Sequence, residues 1–343
     1  MVQMALERFG LRGARLNQLR QGFVRVFHVV SSTREEFCLR TYDLPADGEH
    51  ASRSAPPPGR PSLEQLRAQL LWLSALASET PLLVPELVPA ADGSLMVYVS
   101  SEGTAEPQQQ GRQCVLLRWV AGTHKRDEQL GPTDASLVGS YVAGLHNHAQ
   151  RYAPPEPSTF RRWDWNWAFG ESVPLWRDGP RFYSASEMAI FEATAQRVHE
   201  DFQALGYGRD AFGPIHRDLH LSNILFHARR VGVIDFDLCG LGHYLLDLSV
   251  LLNALRLSAI RSQRLDRFWR MREIFFDSYE RECSPPQDYR RYLMTFHAMR
   301  QVARVNRELR ALNSETNRHR AVGPHMLRNV VTWLQTSYLK DKT

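Results

Sequence analysis

The run ILFHARRVGVIDFD, residues 224–237, constrains this chain more than any other stretch. Two short apolar segments rich in β-branched residues flank a basic turn, and they are too short for helices. The pattern predicts a hairpin with one strand ending near His227 and the other ending at Asp235. A hairpin sets the start of its first strand beside the end of its second, so Asn223 and Asp235 should project from the same end of the ribbon. Asp218 lies five residues before Asn223, in the loop entering that end, within the stretch HRDLHLSNILF at 216–226. Three readings compete for so polar an entrance: a metal site, a phosphoryl-transfer loop, or a turn without chemistry.

A zinc site is disfavoured. His216, Asp218 and His220 alternate, but zinc recruits three or four ligands with at least one distant partner, and no second His or Cys cluster appears. His146 and His148 stand two apart on a predicted helix and cannot share a face. Hard oxygen donors such as Asn223 and Asp235 suit magnesium, which takes one or two protein ligands together with substrate phosphates. A carboxylate beside such an ion, not needed as a ligand, is free to accept a proton from an attacking hydroxyl. HRDLHLSN also satisfies every fixed position of the kinase catalytic-loop pattern H-R-D-L-x-x-x-N, and Asp235-Phe236-Asp237 stands where D-F-G is expected.

The flanking sequence supplies the frame. FVRVFHVV at 23–30 and EFCLRTY at 36–42 read as a β-hairpin, and SLMVYVS at 94–100 and CVLLRWV at 114–120 as two further strands. Between the pairs, DLPADGEHASRSAPPPGRPS at 43–62 reads as a mobile loop. A helix follows it, opened by a Ser62/Gln65 capping box and buried through Leu63, Leu66, Leu70 and Leu73. SEGTAEPQQQGRQ at 101–113 reads as an exposed hairpin loop. From TDASLVGSYVAGLHNHA, with Thr133 or Asp134 as N-cap, the texture turns helical, and everything beyond 240 reads as helix except the CSPPQD break at 283–288. The expected division is therefore 1–120, a sheet with one main helix, and 121–343, mainly helical.

At these residues the chain resembles the aminoglycoside phosphotransferase and homoserine-kinase-like group, whose members often read H-G-D-L-H-x-x-N followed by I-D-F or I-D-W. LLRWVAG, VAGLHNHA and LLDLSVLL resemble that group's hinge strand, first large helix and following aspartate-bearing helix. The resemblance covers most of residues 15–255. It implies an α+β, bilobal protein-kinase-like fold, with a small antiparallel-sheet N-lobe and a mainly helical C-lobe. It also implies ATP and Mg2+ as cofactors. Asp218 would be the base or orienting group for the acceptor hydroxyl, and Asn223 and Asp235 the metal ligands. Asp247 and His216 would buttress the loop. Arg40 would meet the nucleotide phosphates, and the backbone near Leu117, Arg118 and Trp119 the adenine edge.

The sequence departs from that pattern in three places. The phosphate loop between the first two strands offers LNQLRQGFVRV with one glycine, Gly22, in place of G-x-G-x-x-G. The residue resembling the family's glutamate partner for Arg40 is Gln69, which cannot form an ion pair. Either a neutral hydrogen bond suffices or another acid orients Arg40. Asp237 replaces the glycine of D-F-G, as an additional metal ligand or as a cap on the following turn.

Only nine residues, Leu238 to Leu246, separate Asp237 from Asp247, which leaves no room for a peptide platform. The expected activity is transfer of a γ-phosphoryl group to a hydroxyl of a small molecule. The alternatives are a protein Ser/Thr kinase of the stress-response type, which the aromatic FRRWDWNWAF segment resembles, and a nucleotide-binding pseudokinase scaffold. From residue 251 onward bases outnumber acids about two to one, with Arg300, Arg304 and Arg307 on one helical face. That bias argues for a neutral or anionic acceptor over a polycationic aminoglycoside, the bland alternative being a solvated outer face. Arg300 and Arg304, with Trp163 and Trp165, are candidate acceptor contacts, although alternating tryptophans also seal lobe interfaces. The net charge of +5 is too small to suggest nucleic acid. The scattered Cys38, Cys114, Cys239 and Cys283, the absence of an apolar leader and the absence of long apolar runs predict a cytoplasmic protein with no membrane partner.

Overall fold

The computed structural model describes residues 1–44, 61–100, 111–154, 159–313 and 323–340. The chain forms two compact units. One comprises Met1–Lys125, Ala153–Arg161 and Ser222–Asp237, the other Arg126–Tyr152, Arg162–Leu221 and Leu238–Thr343. The sequence placed a single cut near residue 120. The coordinates instead return the chain to the first unit twice, so the 224–237 hairpin groups with the N-terminal sheet. Most of the two Pro- or Gln-rich loops expected at 43–62 and 101–113 lies outside the described residues.

The first unit opens with helix α1 (Val2–Arg8) and strands β1 (Arg15–Arg20), β2 (Val24–Val30) and β3 (Glu36–Tyr42). Helix α2 (Leu63–Glu79) and strands β4 (Leu87–Val88), β5 (Val97–Val99) and β6 (Arg112–Arg118) follow. The antiparallel sheet runs β1-β2-β3-β6-β4, with β5 also paired to β6. The predicted β2–β3 hairpin forms in register, Val26 opposite Arg40. Period-two alternation then decides what each face carries. Phe37 and Leu39 join a core with Ala5, Leu6, Phe9, Val97 and Leu116, whereas Cys38, Arg40 and Tyr42 fall on the opposite face. The Ser62/Gln65 capping box opens α2 as expected. Helix α1 was not foreseen: a seven-residue segment is too short to show a readable period, and packing of its buried Ala5 and Leu6 on the sheet holds it.

The second unit contains α3 (Pro132–Arg151), β7 (Arg162–Trp163), α4 (Trp165–Phe169), α5 (Pro174–Asp178), α6 (Ala185–Leu205) and β8 (Phe212–Ile215). After the hairpin strands β9 (Ile224–His227) and β10 (Arg230–Val233) of the first unit come β11 (Gly240–His243), α7 (Tyr244–Arg261), α8 (Leu265–Glu282), α9 (Leu293–Leu312) and α10 (Gly323–Trp333). The N-cap of α3 is Gly131 with Pro132 at the first turn, in place of the expected Thr133 or Asp134, and Asp134 instead accepts a hydrogen bond from the Gly131 N–H at 2.8 Å. Strand β11 corrects the expectation of helix throughout after 240. Its GLGH has too few side chains to show a period, and it is held between β7 and β8 by backbone pairing. Helix α7 is buried continuously from Tyr244 to Leu252, as a helix apolar on all sides must be.

Candidate active site

The β9–β10 ribbon pairs Val233 with Ile224, and the Ile234 N–H donates to the Asn223 carbonyl at 2.9 Å. Asn223 and Asp235 therefore stand at the same end of the ribbon, as the spacing predicts. Asn223 is buried, and Asp235 adopts a left-handed φ of 67°, a conformation that a non-glycine residue keeps only where its surroundings impose it.

Arg40 imposes part of it. Its Nη2 donates to Asp235 Oδ1 at 2.7 Å and also to Asp237 Oδ2. Tyr42, two residues along β3 on the same face, donates to the other oxygen of Asp237 at 2.7 Å. Gln69 on α2 donates from Nε2 to the Asp237 backbone carbonyl at 3.2 Å. The acid that pairs with Arg40 thus sits at 237 and not on the helix, and the Gln69 amide pins the backbone of that acid. Burial opposes charge on Arg40, but Asp237, Tyr42 and Asp235 outweigh it and hold the guanidinium pKa well above its ordinary value. Burial, reinforced by Asp237, pushes the Tyr42 phenol well above its own. Both Asp237 oxygens are engaged, whereas among the described residues Asp235 Oδ2 has a single 3.7 Å contact, with the exposed Arg20 on β1. Asp235 Oδ2 and Asn223 fit a hard divalent cation, and Arg40 balances the charge of the two aspartates.

In the second unit the HRD segment hangs from α7. Asp247 is fully buried in the first turn and accepts hydrogen bonds from the backbone N–H of His216 at 2.9 Å and of Arg217 at 2.5 Å. These two bonds hold Arg217 at a left-handed φ of 70°. The Asp218 N–H donates to His216 Nδ1 at 3.2 Å, so His216 and Asp247 are both hydrogen-bonded to the backbone of the HRD segment. His146, also fully buried, pairs with Tyr279 at 2.9 Å and lies 3.5 Å from Asp247. The Asp218 carboxylate lies 3.3 Å from His220 Nε2. Burial raises the Asp218 pKa, but the His220 hydrogen bond and the charges of His220, Arg217 and His216 outweigh it and hold the group below its ordinary value. At neutral pH Asp218 is an ionised acceptor.

Trp163 and Trp165 spend their indole N–H groups on the carbonyls of Leu238 and Ala195, at 2.8 and 2.9 Å. Arg217 lies over Trp163 and Trp167, 4.6 and 4.7 Å from the ring centroids. Those rings therefore clamp the HRD arginine, a role the alternating tryptophans alone did not reveal. Gly22 lies in the β1–β2 turn. At the hinge, the Arg118 and Trp119 N–H groups already donate to the carbonyls of Glu86 and Glu36, while Leu117 sits in the β3–β6 ladder. Among the described residues the backbone N–H groups of Val120 and Ala121 have no such partner. Arg304 is exposed on α9 and Arg300 is partly buried.

The family model described as "Phosphotransferase enzyme family" matches residues 15–283. An uncharacterized protein of Deinococcus radiodurans is 28% identical over 246 residues, which is 71% of this chain and 63% of that protein, so the chain spans less than two thirds of that relative's length. Among solved structures, a microcompartment-associated aminopropanol kinase superposes with a TM-score of 0.68 at 24% identity, covering 97% of this chain and 95% of its own. An amicoumacin kinase solved with AMP-PNP, Ca2+ and its ligand gives 0.71 at 15%, covering 98% and 93%. A spectinomycin phosphotransferase solved with ADP and spectinomycin gives 0.62 at 11%, covering 98% and 96%. These likenesses establish the kinase-like fold, an N-terminal antiparallel sheet followed by a mainly helical region.

Proposed function

The chain belongs to the phosphotransferase enzyme family, and we propose that it transfers the γ-phosphoryl group of ATP to a hydroxyl of a small molecule. The observation that carries this reading is the HRD segment: Asp247 fixes the backbone of His216 and Arg217 and presents Asp218 as an ionised acceptor. An inert scaffold has no use for that arrangement together with Asn223 and Asp235.

The acceptor oxygen attacks the γ-phosphorus in line, and the bond to the β–γ bridging oxygen breaks. The acceptor proton passes to Asp218, leaving ADP and a phosphomonoester. Asn223 and Asp235 would hold Mg2+, which would neutralise charge on the transferring group. Arg40 contributes a fixed positive charge toward the phosphates, oriented by Asp237. Asp237 is read as that positioning acid and not as a metal ligand, because both its oxygens are committed. The adenine edge meets Val120 and Ala121, whose N–H groups are available, in preference to Arg118 and Trp119. The short span from Asp237 to Asp247 favours a small acceptor over a peptide. The aminopropanol, amicoumacin and spectinomycin in the names of the structural neighbours agree with that size.

The deciding experiment replaces Asp218 with Asn and follows ADP release against a panel of hydroxylated metabolites and antibiotics. The variant should lose about 100-fold or more in kcat while binding nucleotide as before. Undiminished turnover would refute the assignment.

A further inference from the structure

The C-terminal helices carry a groove, part basic and part apolar, that the reaction chemistry above does not use. A cavity of about 270 Å³ is lined by Ser249, Asn253 and Arg256 of α7, by Trp269 and Arg272 of α8, and by Arg290 and His297, with no carboxylate in its lining. Two of its arginines are already neutralised. Arg272 pairs with Glu273 at 2.7 Å, and Arg290 pairs with Glu273 at 2.8 Å and Glu280 at 2.7 Å. Arg256 has no hydrogen bond or ion pair among the described residues. His297 is buried to 8% exposure, its Nε2 faces Gln301 at 3.2 Å, and its Nδ1 is buried without a hydrogen bond. Burial first, then the charges of Arg300 and Arg256, push the His297 pKa down to about 3, so the imidazole is neutral and has a ring nitrogen to offer.

We propose that this groove binds an oxyanion, the carboxylate or phosphate of an anionic acceptor, with Arg256 and His297 as its recognition residues. An unneutralised arginine beside a buried, unpartnered ring nitrogen, in a lining free of acids, is costly unless an anion completes it. Ser249 and Asn253 add neutral donors, and Trp269 offers an apolar wall to the body of the ligand. Arg300 connects the groove to the reaction site. It lies one helical turn from His297, on the same face of α9, and it is within electrostatic reach of Asp218 and Asp247 as well as of His297. On this proposal a small hydroxy acid or sugar phosphate seats its anion in the groove and presents its hydroxyl to Asp218. The same basic lining repels polycations.

Identifying the occupant as the acceptor rests on the phosphotransferase reading, but occupancy by an anion does not, and the test separates them. Inorganic phosphate is titrated calorimetrically into the wild type, Arg256→Gln and His297→Gln with the nucleotide site saturated by Mg·AMP-PNP. Wild type should bind saturably, and each variant at least about tenfold more weakly, as expected for loss of a charge-assisted hydrogen bond. No saturable binding in the wild type, or equal affinity in all three proteins, overturns the site. In the second arm, glycerate, glycerol 3-phosphate and glycerol compete as acceptors. A higher kcat/KM for one anionic member, reduced through KM in Arg256→Gln, supports the groove and tells carboxylate from phosphate. Equal use of glycerol overturns the groove as the acceptor's anion site and leaves the phosphotransferase reading standing. ATP turnover with no alcohol of any charge, alongside intact phosphate binding, overturns that reading and leaves the anion site.

Discussion

At position 237 an aspartate does the work usually given to a residue on a helix. On the proposed reading Arg40 needs an anion to hold its fork toward a phosphate, and among the described residues α2 supplies the amide of Gln69 to the backbone of Asp237. The charge has moved to Asp237, where one oxygen accepts from Arg40 and the other from Tyr42, and the amide secures the backbone beneath it. Asp237→Asn should therefore lower kcat/KM for ATP by about 10- to 100-fold, the range expected for a charged hydrogen bond in a buried setting. Much of the loss should appear in KM. Steady-state kinetics at varied ATP measure it, and an unchanged kcat/KM would remove Asp237 from the phosphate-positioning set. Both halves of this exchange are visible in the sequence, as a glutamine where an acid is expected and an acid where a glycine is expected. Their connection is not, because the paired residues lie 197 positions apart.

Among the elements, α3 and α8 pack closely at Gly139. At Gly139 an added Cβ would stand 2.4 Å from the Phe275 carbonyl oxygen and 3.0 Å from Ser278 Cβ, so the two helix backbones meet where no side chain fits. Gly139→Ala should destabilise the protein by about 1–3 kcal/mol, the cost of overpacking, despite alanine's better helix propensity. Urea unfolding monitored by circular dichroism tests this, and a midpoint equal to or above wild type would show that the helices yield. The elements that were legible in sequence are those with strong periodicity: the β2–β3 hairpin, α2 with its capping box, and the β9–β10 ribbon. Elements such as α1 and β11 were not legible, because each is too short to show a period and exists through contacts with distant strands.

For the molecule as a whole, two buried histidines set a pH limit. His243 is fully buried, and burial pushes its pKa down to about 4 against the opposing effects of its hydrogen bond to the Gly206 carbonyl and of Asp164. His297 is pushed down to about 3. Unfolded, both titrate near their ordinary value of about 6.5. Below that pH the unfolded chain binds protons that the folded chain refuses, so stability rises with pH and is lost as pH falls from about 6.5 toward 4. The expected loss between pH 7 and pH 5 is about 2 kcal/mol for each histidine. Asp218, held below its ordinary value, acts in the same direction, and its share is lost at lower pH, as pH falls through the carboxylate range. Urea melts at pH 7 and pH 5 should show the fall, halved in His243→Gln, and a flat profile would exclude neutral burial of both rings. Among the described residues no helix is long and apolar enough to cross a membrane.

The sequence by itself determined the ribbon, its paired Asn223 and Asp235, and the motif around Asp218, because hairpin geometry and loop chemistry act over a few residues. Only the tertiary structure decided which acid orients Arg40, why the tryptophans alternate, and which of many surface arginines stands unpaired in a groove. Ion pairing and burial depend on distance through space, and spacing along a chain carries no record of that distance once the partners lie a hundred or more residues apart.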